Sequence, residues 1–129
     1  MTKLVLDVGN CGPDFAAIKA LVEDHFDATV VSADLPADAL QAVCHQRPDL
    51  VLVNRKLDAD YSDGLRVIEQ IKADPQLADI PCMLVTNYEE HQRAAMAAGA
   101  ERGFGKLQLQ APQTLKRLAA FLGPPQPPP

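Results

Sequence analysis

Apolar residues in this chain come in short dense runs, and each run ends in a single polar side chain. Leu4-Val5-Leu6 stops at Asp7, Leu50-Val51-Leu52-Val53 at Asn54, Cys82-Met83-Leu84-Val85 at Thr86, and the brief Phe104-Gly105 at Lys106. Four or so apolar residues bounded by turn formers read as a strand buried on both faces. The run ending in Asn54 is the best delimited, with Pro48-Asp49 before it and a polar stretch from Arg55 to Gly64 after it. Residues 3–8 are therefore predicted as a first strand, Ala28–Ala33 as a second, and the segment around Glu101–Gly105 as a fifth.

Between the runs the apolar spacing changes to that of helices. After the turn Gly9-Asn10-Cys11-Gly12-Pro13 it picks out Phe15, Ile18, Val22 and Phe26; after Asp34, read as a cap, it picks out Ala39, Leu40, Val43 and Cys44 with Pro36 in the first turn. Leu65, Ile68 and Ile71 define a helix over Gly64–Ala73 that Asp74-Pro75 ends. Asn87 with Glu90 has capping-box spacing for a fourth helix closed by Gly99, a thin surface built from Ala94, Ala95, Met96, Ala97 and Ala98. A fifth begins at Ala111-Pro112 with Leu115, Leu118 and Leu122 inward. Strands alternating with helices in one core predict an α/β fold, a (βα)5 flavodoxin-like doubly wound parallel sheet in the order 2-1-3-4-5. Its switch point places Asp7 and Asn54 on either side of a crevice at the strands' carboxyl ends, where such folds keep their ligands.

Length and composition narrow the function classes. The 129 residues suffice for one domain, expected over residues 1–122, with a proline-rich tail or linker stub over 123–129. A net charge of -5, with no clustering among 12 Lys and Arg, argues against direct binding of nucleic acid. Cys11, Cys44 and Cys82 have no metal-site or disulfide spacing and read as buried thiols. With no apolar run near membrane-spanning length and no secretory h-region, the expectation is a soluble cytoplasmic protein without a membrane partner. The Gly9–Pro13 turn fits neither GxGxxG nor GxxxxGK[ST], so it reads as a plain turn with anion contact as the weaker alternative. Asp58, Asp60 and Asp63 lack the closing Glu of a calcium loop and read as solvated.

Ala39-Leu40, Pro48-Asp49-Leu50-Val51-Leu52-Val53, Gly64-Leu65, Ala73-Asp74-Pro75, Asp79-Ile80-Pro81, Thr86, Ala98-Gly99-Ala100 and Lys106 together resemble, in order and spacing, a response-regulator receiver domain from about Lys3 to Leu122. The resemblance implies a phosphoryl group passed from a histidine kinase to an aspartate ending the third strand. It also implies Mg²⁺ on acidic residues after the first strand, and a Thr or Ser and a Lys contacting the phosphate. Position by position, Thr86, Lys106 and Asp7 match. Val8 stands at the second acidic position, Asn54 at the phosphoacceptor, and Gly103 at the switch aromatic of the fifth strand. Asp58 replaces the proline that usually follows the acceptor, Leu107 replaces the one after the lysine, and the loop to Gly64 is longer than usual.

The expectation is therefore a phosphorylation-independent pseudo-receiver that is not an enzyme, needs no metal or cofactor, and acts by binding a protein partner in two-component signal transduction. Its degenerate pocket comprises Asp7, Val8, Thr86 and Lys106 around Asn54, with Lys106 as a polar plug beside Asp7 and Asn54. The expected interaction face is Glu90, His91, Arg93, Ala94 and Ala97 on helix 4 with Lys116, Ala119 and Ala120 on helix 5, also the candidate surface for a homodimer. The alternatives are phosphorylation of a loop aspartate, Asp58 or Asp60, and a small-ligand module using the same crevice.

Overall fold

The structure, a computed structural model, describes residues 2–127. Strand β1 (Lys3–Val8) pairs in parallel with both β2 (Ala28–Ala33) and β3 (Leu50–Asn54), and β3 pairs in parallel with β4 (Cys82–Val85). The order is β2-β1-β3-β4. Helices α1 (Gly12–His25), α2 (Pro36–Gln46), α3 (Gly64–Ala73), α4 (Glu89–Ala97) and α5 (Pro112–Leu122) alternate with the strands, which makes this the flavodoxin-like α/β fold. Side chains of a strand alternate between faces, and the core divides accordingly. Val5, Leu50, Leu52, Met83 and Val85 meet Ile18, Val22, Phe26, Leu118 and Leu122 on one side. Leu6, Val8, Val51, Val53 and Leu84 meet Val43, Val67, Ile68, Ile71 and Ala95 on the other.

The fifth strand differs from expectation. Glu101 makes a single parallel bridge to Met83, its N–H donating to Cys82 O at 2.8 Å, and Thr86 N donates to Phe104 O at 3.0 Å. The rung between these two is supplied by a side chain instead. Gln92, buried on α4, accepts from Gly103 N (2.9 Å) through Oε1 and donates through Nε2 to Leu84 O (2.9 Å) and Thr86 O (3.3 Å). Gly103 is turned so that its N–H faces Gln92, and a Cβ there would lie 2.4 Å from Leu84 O, a separation no side chain tolerates. A glycine and a helix amide together thus replace a stretch of ladder.

Several caps also differ. Leu35 rather than Asp34 is the N-cap of α2, with Pro36 at the first helical position, where its missing N–H costs nothing. Tyr88 rather than Asn87 is the N-cap of α4, so no Asn87–Glu90 box forms; Asn87 Oδ1 accepts instead from Leu107 N at 3.1 Å. Asp63, in the loop read as solvated, caps α3 by accepting from Leu65 N (3.0 Å). That loop is pinned by fully buried Leu57, whose N–H donates to Ser62 O. The cysteines are not uniformly buried: Cys82 is, Cys11 is half-buried, and Cys44 faces solvent because the inward positions of α2 are Ala39 and Val43. In the tail, Gln126 N donates to His25 O; Pro128 and Pro129, part of the predicted extended stub, lie outside the described residues.

Candidate functional site

Register brings the polar strand ends together. Asp7 pairs with Leu52, Val8 with Val53, and Asn54 with Val85, so Asp7 and Asn54 finish adjacent strands. Asp7 is 1 % exposed and accepts one hydrogen bond, from Asn10 Nδ2 to Oδ1 (2.5 Å). Its Oδ2 and the Oδ1 of Asn10 are buried without hydrogen-bond partners among the described residues. Burial pushes the Asp7 carboxyl up to about 7, against the opposing pull of the Asn10 bond and the Lys106 charge. Two unmatched acceptors side by side favour the same outcome, since a carboxylic acid brings a donor that a carboxylate lacks.

Asn54 is tied in place by its amide. Nδ2 donates to Lys56 O at 2.7 Å and reaches Gly9 O at 3.5 Å, joining its own loop to the β1–α1 turn. Gly9 O also accepts from Asp58 N (2.8 Å), so one carbonyl ties the two turns together. Val8 is a core residue, packed with Leu6 and Val53.

Lys106 does not sit as a plug against Asp7 and Asn54. Its Nζ pairs with Asp14 Oδ2 at 2.7 Å, and Cys11 Sγ donates to the same oxygen (3.2 Å). The Lys106 bond holds the Asp14 carboxyl below the usual range. A carboxylate in the first turn of α1 captures the ammonium because both are half-exposed and free to meet, whereas Asp7 is sealed under the Asn10 turn. Asp14, Asn10 and Gln92 were not singled out from the sequence; Asp14 was the detectable one, as an acidic residue two positions past a Gly-Pro helix start.

The Thr86 hydroxyl is engaged with α4 rather than with Asp7 or Asn54. Its Oγ1 lies 3.1 Å from His91 Nδ1 and accepts from Tyr88 N (3.3 Å), while the Tyr88 and His91 rings meet edge to face at 5.4 Å. A cleft of about 180 Å³ runs between Asn54, Arg55, Thr86, Tyr88, His91 and Lys106. A second, of about 200 Å³, places His91 and Ala94 opposite Arg55, Asp63 and Leu65. The expected interaction face is therefore divided. His91 and Ala94 look toward α3, while Glu90, Arg93 and Ala97 are exposed elsewhere on α4. On α5, Lys116 and Ala120 are exposed and Ala119 packs partly against the core.

An amide nitrogen shares its lone pair with the carbonyl, so Asn54 has no anionic oxygen to attack phosphorus. The donor set also fits Mg²⁺ poorly. That ion takes near-octahedral oxygen coordination around one or two carboxylates; here Asp7 is sealed, with burial disfavouring its charged form, Val8 offers nothing, and Asp14 is spent on Lys106. Among the described residues no group of three or more His, Cys, Asp or Glu is placed to hold a metal ion. Among them, too, no helix is long and apolar enough to cross a membrane.

Over residues 15–116 the sequence matches the response regulator receiver domain family, to which the chain therefore belongs. The matched segment contains Asn54, Thr86, Gly103 and Lys106, while Asp7 and Val8 precede it. Solved structures agree on the fold. A Chloroflexus aurantiacus protein assigned as a response regulator is 18% identical, with 94% of this chain and 98% of that one covered and a TM-score of 0.82. The phosphorylated cyanobacterial phytochrome response regulator RcpA is 23% identical over 95% and 94% of the two chains, with a TM-score of 0.77. The BeF3-activated receiver domain of Klebsiella pneumoniae RstA is 21% identical over 92% and 97%, with a TM-score of 0.76. No curated protein sequence matches closely enough to count as a relative.

Proposed function

We propose that this receiver domain works in signal transduction without being phosphorylated, as a protein-protein interaction module with no catalytic step of its own. The observation that carries the reading is the state of Asn54: an amide at the end of β3, engaged through Nδ2 with Lys56 O and Gly9 O. An aspartate could not make those donations, and its charge would sit beside buried Asp7. Asp7, Val8, Thr86 and Lys106 are on this reading a degenerate pocket whose members serve the fold: acid in the β1 turn, core, anchor for α4, and partner of Asp14.

The loop aspartates are weaker acceptors. Asp60 is occupied by Ser62 N (2.9 Å) and Ser62 Oγ (2.6 Å), and Asp58 is exposed on a turn with no ion-pair partner among the described residues. Positioning supplies most of the catalysis in phosphoryl transfer. The partner surface proposed is the exposed part of helices 4 and 5, Glu90, Arg93, Ala97, Lys116 and Ala120, which also serves for self-association. Intact mass after treatment with acetyl phosphate and Mg²⁺ is expected to stay unchanged for the wild type, and for Asn54→Asp to rise only marginally because Val8 still denies a second carboxylate. A stoichiometric phosphoryl adduct on the wild type would defeat the reading.

A further inference from the structure

Between the N-terminal ends of α4 and α5 lies a cavity of about 160 Å³, lined in part by Gly103 and sharing Thr86 with the strand-end cluster around Asn54 but not Asp7, Asn54 or Lys106. Its lining is almost wholly polar, and one cation in it is left over. Arg102 is held by both carboxylate oxygens of Glu89, which cancels those two charges. Arg117 has only Gly103 O at 3.5 Å, and no carboxylate reaches it within ion-pair distance among the described residues. The corner thus carries one net positive charge in a chain of charge -5.

Donors surround that guanidinium. Gln113 lines the cavity with no side-chain hydrogen-bond partner among the described residues, and its N–H stands in the first turn of α5, a helix whose N-cap, Ala111, supplies no side-chain bond. Gln108 offers its Nε2, since Oε1 is taken by Gly105 N. The floor is held because Gln92 accepts from Gly103 N and donates to Leu84 O and Thr86 O, tying Gly103 to the end of β4. A pre-set floor reduces the ordering cost of binding.

We propose that this cavity binds a carboxylate group, presented either by a small organic acid or by a glutamate or aspartate side chain of a partner protein docking on helices 4 and 5. A guanidinium fork matches the planar carboxylate in two parallel bonds. A singly charged group balances the one spare cation, whereas a phosphate dianion would leave excess negative charge next to Glu89. The proposal stands apart from whether Asn54 accepts phosphate, so either can fail alone.

The test is amide NMR on the full chain at constant ionic strength, titrated in separate arms with sodium acetate, a capped glutamate peptide and inorganic phosphate. Saturable shifts at Gly103, Gln113 and Arg117 are expected, weakened at least tenfold in Arg117→Gln and less in Arg117→Lys, which keeps the charge without the fork. Unliganded spectra of both variants should retain the Gln92 and Gly103 signals, showing an intact floor. Saturation by acetate alone assigns a small acid, and saturation by the peptide with tighter affinity assigns a partner side chain. Absence of saturation in both arms, equal affinity in Arg117→Gln, or tighter binding of phosphate than of acetate overturns the proposal.

Discussion

The two halves of this domain are ordered by different means. From β2 through β4 the backbone is held by continuous parallel ladders between runs so apolar that Val5, Leu50, Val51, Leu52 and Val53 are fully buried. Around α4 and Gly103 order depends on single side chains: Gln92 stands in for a rung, Thr86 holds His91, and α4 buries only Gln92 and Ala95. The first half would survive most local changes because its stability is spread over many contacts. In the second, Phe104, Leu118 and Leu122 still pack into the core, but the link between α4 and the backbone at Gly103 runs through a few polar groups, so loss of one is felt across that corner.

That contrast can be broken at either end. Leu52→Ala removes a fully buried leucine from the centre of the sheet and should cost about 4 kcal/mol. Chemical denaturation should then show a lower midpoint with one cooperative transition. Gln92→Ala leaves Gly103 N, Leu84 O and Thr86 O without their partner and should cost about 3 kcal/mol. Its signature differs: hydrogen exchange should accelerate in residues 86–105 well before the β1–β3 ladder opens. Uniform acceleration across both halves would mean that the corner is no separate unit.

Asp7→Asn gives the smallest effect and the opposite sign. With the folded Asp7 carboxyl at about 7 against an ordinary 3.8, the unfolded chain ionises first. The stability due to neutral Asp7 is therefore fully present below about pH 4 and drains away as pH rises toward 7. Removing the ionisable group should stabilise the domain at pH 8 by about 2 kcal/mol, less than the full linkage because the new amide finds no better partners than the acid. At pH 4 the gain should vanish. A melting-temperature series across that range checks the sign, and a variant less stable at pH 8 than the wild type would show that ionised Asp7 is well satisfied.

What the chain reveals before folding follows the same division. Dense apolar runs and helical spacing are local patterns, and they predicted the four ladder strands, the five helices and the place of Asp7 and Asn54 near the carboxyl ends of neighbouring strands. The corner was harder to read because its structure rests on pairs distant in sequence. Nothing local marks Gln92 as the partner of Gly103, or Asp14 as the captor of Lys106 across 92 positions. Asn87 shows the same limit: its capping-box spacing is genuine, yet the approach of Gly105 and Leu107 gives its side chain a better acceptor role. Gly103 was visible as a missing aromatic, but its backbone contact with Leu84 O was not.

On the proposed reading, the strand-end cluster does not receive a phosphoryl group or its mimic. Beryllofluoride, the group with which the RstA receiver domain was activated, tests this without requiring a covalent step. Amide spectra of the wild-type domain with and without BeF₃⁻ and Mg²⁺ should superimpose at Asn54, Thr86, Gly103 and Lys106. Saturable shifts at those four positions, spreading to α4, would contradict the account and restore the domain to phosphate-driven signalling.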